Sequence, residues 1–181
     1  MFKRGFGGQK MKTLSAPFQK DELKNLEAGD FVLISGKVLT GRDAAHKRIV
    51  EGLKASNLPF DIDGQTIFYV GPCFKDGKIT ACGPTTAMRM DAYSPTLFEN
   101  GVVAAIGKGD RDDAVYDSIV KNGCVYFVAI GGAGATYGKA VKSFETVAYE
   151  DLGTEAVFAF DVKDFPVIVA IDSKGNSIFK K

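Results

Sequence analysis

The stretch Ile79-Thr80-Ala81-Cys82-Gly83-Pro84-Thr85-Thr86-Ala87-Met88-Arg89-Met90-Asp91 decides the fold class. A buried-looking strand at 79–82 meets Gly-Pro, and proline at a first helical position marks a helix start. The predicted helix runs from Pro84 and stops before Ser94-Pro95, because the residue ahead of a proline disfavours helical backbone. It would open with two hydroxyls, Thr85 and Thr86, beside the free N–H groups at the positive end of the helix dipole. Arg89 follows Thr85 by four residues and Thr86 by three, which puts its guanidinium on their face. Donors, hydroxyls and a guanidinium fork aimed at one spot make a receptor for a small carboxylate or phosphate.

Working outward, two further turns carry polar residues. An apolar strand at 31–39 ends in Thr40-Gly41-Arg42-Asp43-Ala44-Ala45-His46. Thr40 and Asp43 have capping-box spacing, with Asp in place of Glu, so a helix is predicted over 41–56. Arg42 would then sit in the first turn, against the preference of the dipole, a placement best understood if an anion lies nearby. His46 shares the face of Arg42 and has two open roles, acid–base chemistry or packing while holding a carbonyl, beside a third of orienting Arg42 through a shared partner. The third turn follows the apolar strand at 102–106, where Lys108 stands between Gly107 and Gly109. Glycines on both sides point to close backbone approach and a functional tip.

Strands at 12–18, 66–70, 124–130, 144–149, 156–160 and 167–172 and an amphipathic helix at 110–122 complete the pattern. Unalternating strands that feed helices through Gly-rich turns imply an α/β fold with a mostly parallel sheet under helical cover. The strands after 144, with few helices between them, imply a second sheet layer. Ligands in such sheets gather at the carboxyl ends of strands, and all three loaded turns fall there. The glycines at 131–138 lack dinucleotide-loop spacing and fit close helix–strand packing better.

Composition narrows the partners. With 23 basic and 22 acidic side chains in 181 residues, the net charge is +1, which gives no bulk attraction to nucleic acid or anionic lipid. No apolar run reaches membrane-spanning length and no signal-peptide pattern opens the chain, so the expected location is cytoplasmic. The Gly-rich, basic decapeptide 1–10 is expected to be a disordered arm, with Met11 an alternative start, and 11–181 one domain. Cys73, Cys82 and Cys124 are odd in number and lack CxxC spacing, which argues against a disulfide framework. Three thiolates could in principle hold an iron–sulfur cluster, but inert packing is the simpler reading and no metal site is assigned to them.

Thr40-Gly41-Arg42-Asp43-Ala44-Ala45-His46-Lys47-Arg48, Tyr69-Val70-Gly71-Pro72, Cys82 to Asp91, Gly107-Lys108-Gly109 and Asp164-Phe165-Pro166 resemble blocks of one family. It is that of the class I fumarase and L-tartrate dehydratase iron–sulfur hydro-lyases, and the match is to their C-terminal region, a separate beta subunit in two-chain members. Gly41 stands where relatives have alanine, and Asp110 where many have asparagine. The resemblance implies a swivelling β/β/α three-layer domain that closes over an alpha subunit. That partner would carry the 4Fe-4S cluster, with none of its ligands on this chain. It also implies that Arg42, Arg89 and Lys108 neutralise the carboxylates of a dicarboxylate, while Thr85 and Thr86 donate hydrogen bonds. One threonine would act as the base, with Arg42 and His46 in the catalytic group. The expected activity is hydration of fumarate to malate or dehydration of tartrate; the alternative is a non-catalytic dicarboxylate sensor.

Overall fold

A computed structural model describes residues 11–180, so the expected arm at 1–10 lies outside the described residues. In chain order the elements are β1 (Lys12–Ala16), α1 (Lys20–Lys24), β2 (Phe31–Thr40), α2 (Asp43–Lys54), β3 (Thr66–Phe68), β4 (Cys73–Lys75) and β5 (Lys78–Ala81). There follow α3 (Ser94–Glu99), β6 (Ala104–Gly107), α4 (Asp113–Asn122), β7 (Val125–Val128), α5 (Gly134–Ala140), β8 (Val141–Ala148) and β9 (Val157–Ile171). The fold is mixed α/β. No helix among the described residues is long and apolar enough to cross a membrane.

Strands β1, β2, β3, β6 and β7 are neighbours in parallel, which is the expected half of the sheet. The other half differs from expectation. Strand β9 runs antiparallel to β2, β7 and β8, and because it pairs with both β2 and β7 the sheet closes on itself. The ring β2–β3–β6–β7–β9 is barrel-like and of mixed orientation, where a mostly parallel sheet with a separate second layer was predicted. Two breaks in regularity let the long strands bend. The β2–β9 register shifts between Ile34 and Gly36, where Gly36 has φ +101°, and Asp164 in β9 has φ 51°.

Closure explains the unalternating strands. Phe68, Ile106 and Phe127 face one core, where Phe68 of β3 meets Phe165 of β9 edge to face at 5.2 Å between centroids. Their neighbours Ile67, Tyr69, Ala105 and Tyr126 face a second core, shared with Ala45 and Ile49 of α2, Leu97 of α3 and Val115 and Ile119 of α4. Both faces of these strands are buried and both are almost wholly apolar, with Thr66 of β3 the buried polar exception.

The stretch read as a strand at 79–82 forms β5, but β5 pairs only with β4 in a two-stranded hairpin outside the ring. Phe74 holds that hairpin against β8 and β9 through Phe144 and Phe158, at 5.2 and 5.4 Å between centroids. Helix α5, which the periodicity did not reveal, lies against β5 through a glycine. A Cβ on Gly138 would come within 2.9 Å of the Thr80 carbonyl oxygen. The glycines at 131–138 thus include one at a close helix–strand contact, as the spacing suggested.

Candidate active site

The residues after β5 do not form the predicted helix. Thr86 has extended backbone (φ −57°, ψ 118°), and only Ala87–Met90 turn, as a single 3-10 turn. Residues 83–86 instead make a strap laid between the ends of β3 and β6. The Thr85 N–H donates to the Tyr69 carbonyl at 2.7 Å, the Lys108 N–H to the Thr85 carbonyl at 3.2 Å, and the Ala87 N–H to the Lys108 carbonyl at 2.8 Å. Two of the donors expected to face an anion, the Thr85 and Ala87 N–H groups, are therefore spent on the backbone, and one short turn supplies no appreciable dipole. Proline still fits, because the strap needs no N–H from Pro84. Two consequences favour a site. Thr86 and Lys108 are bridge partners, and Thr86 and Lys108 are both exposed.

Helix α2 also starts later than the capping-box spacing predicts. Thr40 is not its cap: its hydroxyl accepts from the Phe158 N–H at 3.0 Å and so ties β2 to β9. Arg42 takes the N-cap position, with extended backbone, at the edge where β2, β3 and β6 end. The Gly41 N–H donates to the Phe68 carbonyl, which keeps this edge continuous. Gly71 makes room for Arg42, since a Cβ there would meet Arg42 Nη1 at 2.9 Å.

Asp43 links the two arginines. Its carboxylate accepts from Arg89 Nε at 3.0 Å and Nη2 at 2.8 Å, a two-pronged pair, and its Oδ2 stands 3.6 Å from Arg42 Nε. Arg42 Nε is also 3.1 Å from Glu155 Oε1, misaligned for a hydrogen bond. Arg89 is thus ion-paired inside the chain through its Nε edge, leaving Nη1 for a guest, and both arginines remain solvent-accessible. Lys108 has no ion-pair partner among the described residues. Arg42, Arg89, Lys108, Thr85 and Thr86 accordingly gather at one edge of the ring.

His46 is fully buried under that edge. Its Nδ1 lies 3.0 Å from the Arg42 carbonyl oxygen, which makes Nδ1 the protonated donor, and the same oxygen accepts the His46 N–H at 2.9 Å. The ring packs edge-on against Tyr69 at 5.1 Å between centroids, and Nε2 finds no partner. Burial pushes its pKa down to about 4, so the ring is neutral near pH 7. Of its open roles, the geometry is that of a packing histidine holding a carbonyl.

Cys73 is exposed on β4, and Cys82 and Cys124 are buried, with burial raising both buried thiols to about 12. No three His, Cys, Asp or Glu side chains converge as a metal site among the described residues.

A structural pair of Arg89 with Asp91 or Asp43 is the plain alternative the sequence offers to a ligand role, and the Asp43 pair is the one present. Glu155, 113 residues from Arg42, is the counter-ion that spacing could not supply. Arg111 and Asp91 form a buried ion pair beneath the edge at 2.6 Å. The only signal for that pair was a charged run, Asp110-Arg111-Asp112-Asp113, which reads as a solvated helix start. Asp112 does cap α4, accepting from the Val115 N–H at 2.9 Å.

Two shallow clefts, of about 470 and 300 Å³, lie along β1 and α1 and beside Phe74 and Phe158. A convergent set of donors on an open rim is half of a site, and a second surface is needed to exclude water from it.

Known proteins share this chain's pattern. The family model described as "Fumarase C-terminus" matches residues 7–181. The class I, aerobic fumarate hydratase of Escherichia coli K12 is 36% identical over 156 residues, covering 82% of this chain and 28% of that protein. Fumarate hydratase 2 of Leishmania major is 34% identical over 179 residues, covering 93% of this chain and 31% of that protein. The L(+)-tartrate dehydratase subunit beta of Escherichia coli K12 is 32% identical over 174 residues, covering 92% of this chain and 86% of the subunit. The chain therefore spans about a third of the fumarate hydratases it matches and nearly the whole of the beta subunit.

Proposed function

We propose a function from one premise: this chain belongs to the fumarase C-terminus family. It acts as the beta subunit of a hydro-lyase that adds water to fumarate, or removes it from tartrate, together with an alpha subunit. The observation that carries this reading is the open rim of Arg42, Arg89 and Lys108 beside two threonine hydroxyls. Three cations answer the two carboxylates of a small diacid, and an unroofed rim calls for a partner. The 4Fe-4S cluster is the partner's, a reading supported by the lack of any three converging His, Cys, Asp or Glu side chains among the described residues. The swivelling motion implied by the family belongs to the same proposal: the rim closes over the alpha subunit and expels water. Such an assembly works in the cytoplasm.

This chain's own share of the chemistry is binding, orientation and one proton. Arg89 presents its Nη1 edge to one carboxylate while Asp43 fixes the opposite edge, and Arg42 and Lys108 hold the other carboxylate. One of Thr85 and Thr86 takes the proton from the carbon next to a carboxylate, and it returns that proton in the reverse direction. A neutral hydroxyl is a weak base, so a guanidinium beside its oxygen must stabilise the alkoxide. His46 contributes through Arg42, whose carbonyl it holds.

Reconstitution tests the assignment. The purified chain alone is expected to leave fumarate and tartrate unchanged, and adding a cluster-loaded alpha subunit should start turnover of one of them. A cluster-loaded mixture that turns over neither diacid would overturn the reading.

A further inference from the structure

We propose that Arg111 is a positioning residue of this site, an inference that rests on the hydro-lyase reading and deepens it. Its side chain is 0% exposed and that of its partner Asp91 is 5%, so the pair is sealed from solvent beneath the rim. A sealed ion pair adds little stability over apolar packing, because desolvation offsets most of its attraction, which leaves another role open to it. The geometry supplies that role. Arg111 follows Lys108 by three residues, and Asp91 follows Arg89 by two. The guanidinium donates from Nε to Asp91 Oδ1 at 2.6 Å and from Nη2 to the Ser94 hydroxyl at 2.6 Å. Asp91 Oδ2 accepts from the Asp112 N–H at 2.7 Å.

Two segments therefore run side by side and are pinned at both ends. At one end Thr86 bridges to Lys108; at the other Asp91 grips Arg111 and Asp112. Lys108 stands at the first pin and Arg89 between the two, so the pins together set their separation. The third cation joins through aromatic packing. Arg111 lies over Tyr126 at 4.8 Å and Tyr69 at 5.4 Å from the ring centroids. The Tyr69 hydroxyl shares a 3.0 Å hydrogen bond with Ser94, and the His46 ring rests on Tyr69 while holding the Arg42 carbonyl. Arg111 thus sits at the hub of contacts that reach all three cations, and it touches none of the groups that would touch substrate. Two buried atoms at this hub, Arg111 Nη1 and His46 Nε2, have no protein hydrogen-bond partner among the described residues.

The test separates architecture from positioning in the assembled alpha–beta enzyme. The double variant Asp91→Asn/Arg111→Met removes both buried charges at once, a replacement a purely structural pair tolerates. Arg111→Lys keeps the charge but cannot reach Asp91 and Ser94 together. Thermal unfolding, kcat and KM are measured for each, with the wild-type enzyme as control. The expected result is a double variant that melts within a few degrees of wild type, with KM for the diacid raised at least tenfold and kcat falling less, since ground-state and transition-state carboxylate contacts loosen together. Arg111→Lys should show the same split at smaller size, and it carries the test if the double variant does not fold. Unchanged KM and kcat in a folded variant would overturn the role of Arg111. An inactive wild-type mixture would instead sink the hydro-lyase reading beneath it.

Discussion

His46 is the chain's single histidine, and its state sets a pH signature that belongs to one side chain. Its folded pKa is about 4, against about 6.5 when unfolded, with burial the main cause. Between those values the unfolded chain binds a proton that the folded chain refuses, so stability rises with pH across the window. The contribution is complete above about pH 6.5 and is lost as pH falls toward 4, amounting to about 3 kcal/mol. Chemical denaturation at steps from pH 7 to pH 4.5 should show that slope, and His46→Gln should flatten it. A single imidazole resonance that titrates near 6.5 in the folded protein would contradict the burial. Spacing put His46 on the helical face of Arg42, but Arg42 caps the helix with extended backbone, and the ring meets its carbonyl oxygen, not its guanidinium. Nor could spacing choose between a catalytic and a carbonyl-holding ring, since that choice depends on Tyr69 and the Arg42 carbonyl, which only folding brings to it.

Elements were legible where one period governed a long run. The apolar strands now seen as β2, β6 and β7 and the helices α2 and α4 lie close to where the pattern put them, and Gly123 ends α4 with φ 66° as read. The segment after β5 misled for a physical reason. Gly-Pro followed by hydroxyls suits both a helix start and an extended strap, and long-range bonds from Tyr69 and Lys108 chose the strap. Gly107 is the position on which that strap depends. A Cβ there would lie 2.8 Å from Tyr69 Cδ2, 3.0 Å from Ala87 Cβ and 3.2 Å from the Tyr126 hydroxyl, all parts of buried residues. Gly107→Ala is therefore overpacking, at a cost of about 1–3 kcal/mol. For a domain of this size that is a melting temperature lower by roughly 3–10 °C. Activity of the reconstituted enzyme should fall as well, because the strap carries Thr85 and Thr86. A variant that melts with wild type would mean the strap gives way at no cost and does not fix the threonines.

At the scale of the whole molecule, the closing of the sheet could not be read from the chain, because β9 finds β2 across 120 residues or more and local pattern says nothing of direction. Closure nonetheless determines what the rim can do. It brings the ends of β2, β3 and β6 to one edge and leaves that edge without a roof, so charges there interact through water. Three cations at the rim stand against Asp43 and Glu155, leaving a single net positive charge to meet a dianion. Exposed pairs of this kind are individually weak. They are also screened beyond about 8 Å at physiological ionic strength. The chain by itself should therefore hold succinate only with a Kd of about 1 mM or weaker. That binding should fade as salt rises from about 0.05 to 0.5 M. Titration of the isolated chain followed by backbone amide shifts reads both quantities, with Lys108 and the strap at 83–87 moving first. Assembly with the alpha subunit should tighten binding, because expelled water strengthens each remaining charge contact. Micromolar binding by the isolated chain, indifferent to salt and unimproved by the partner, would describe a receptor complete in itself, and the dicarboxylate sensor would then replace the half-site of an enzyme.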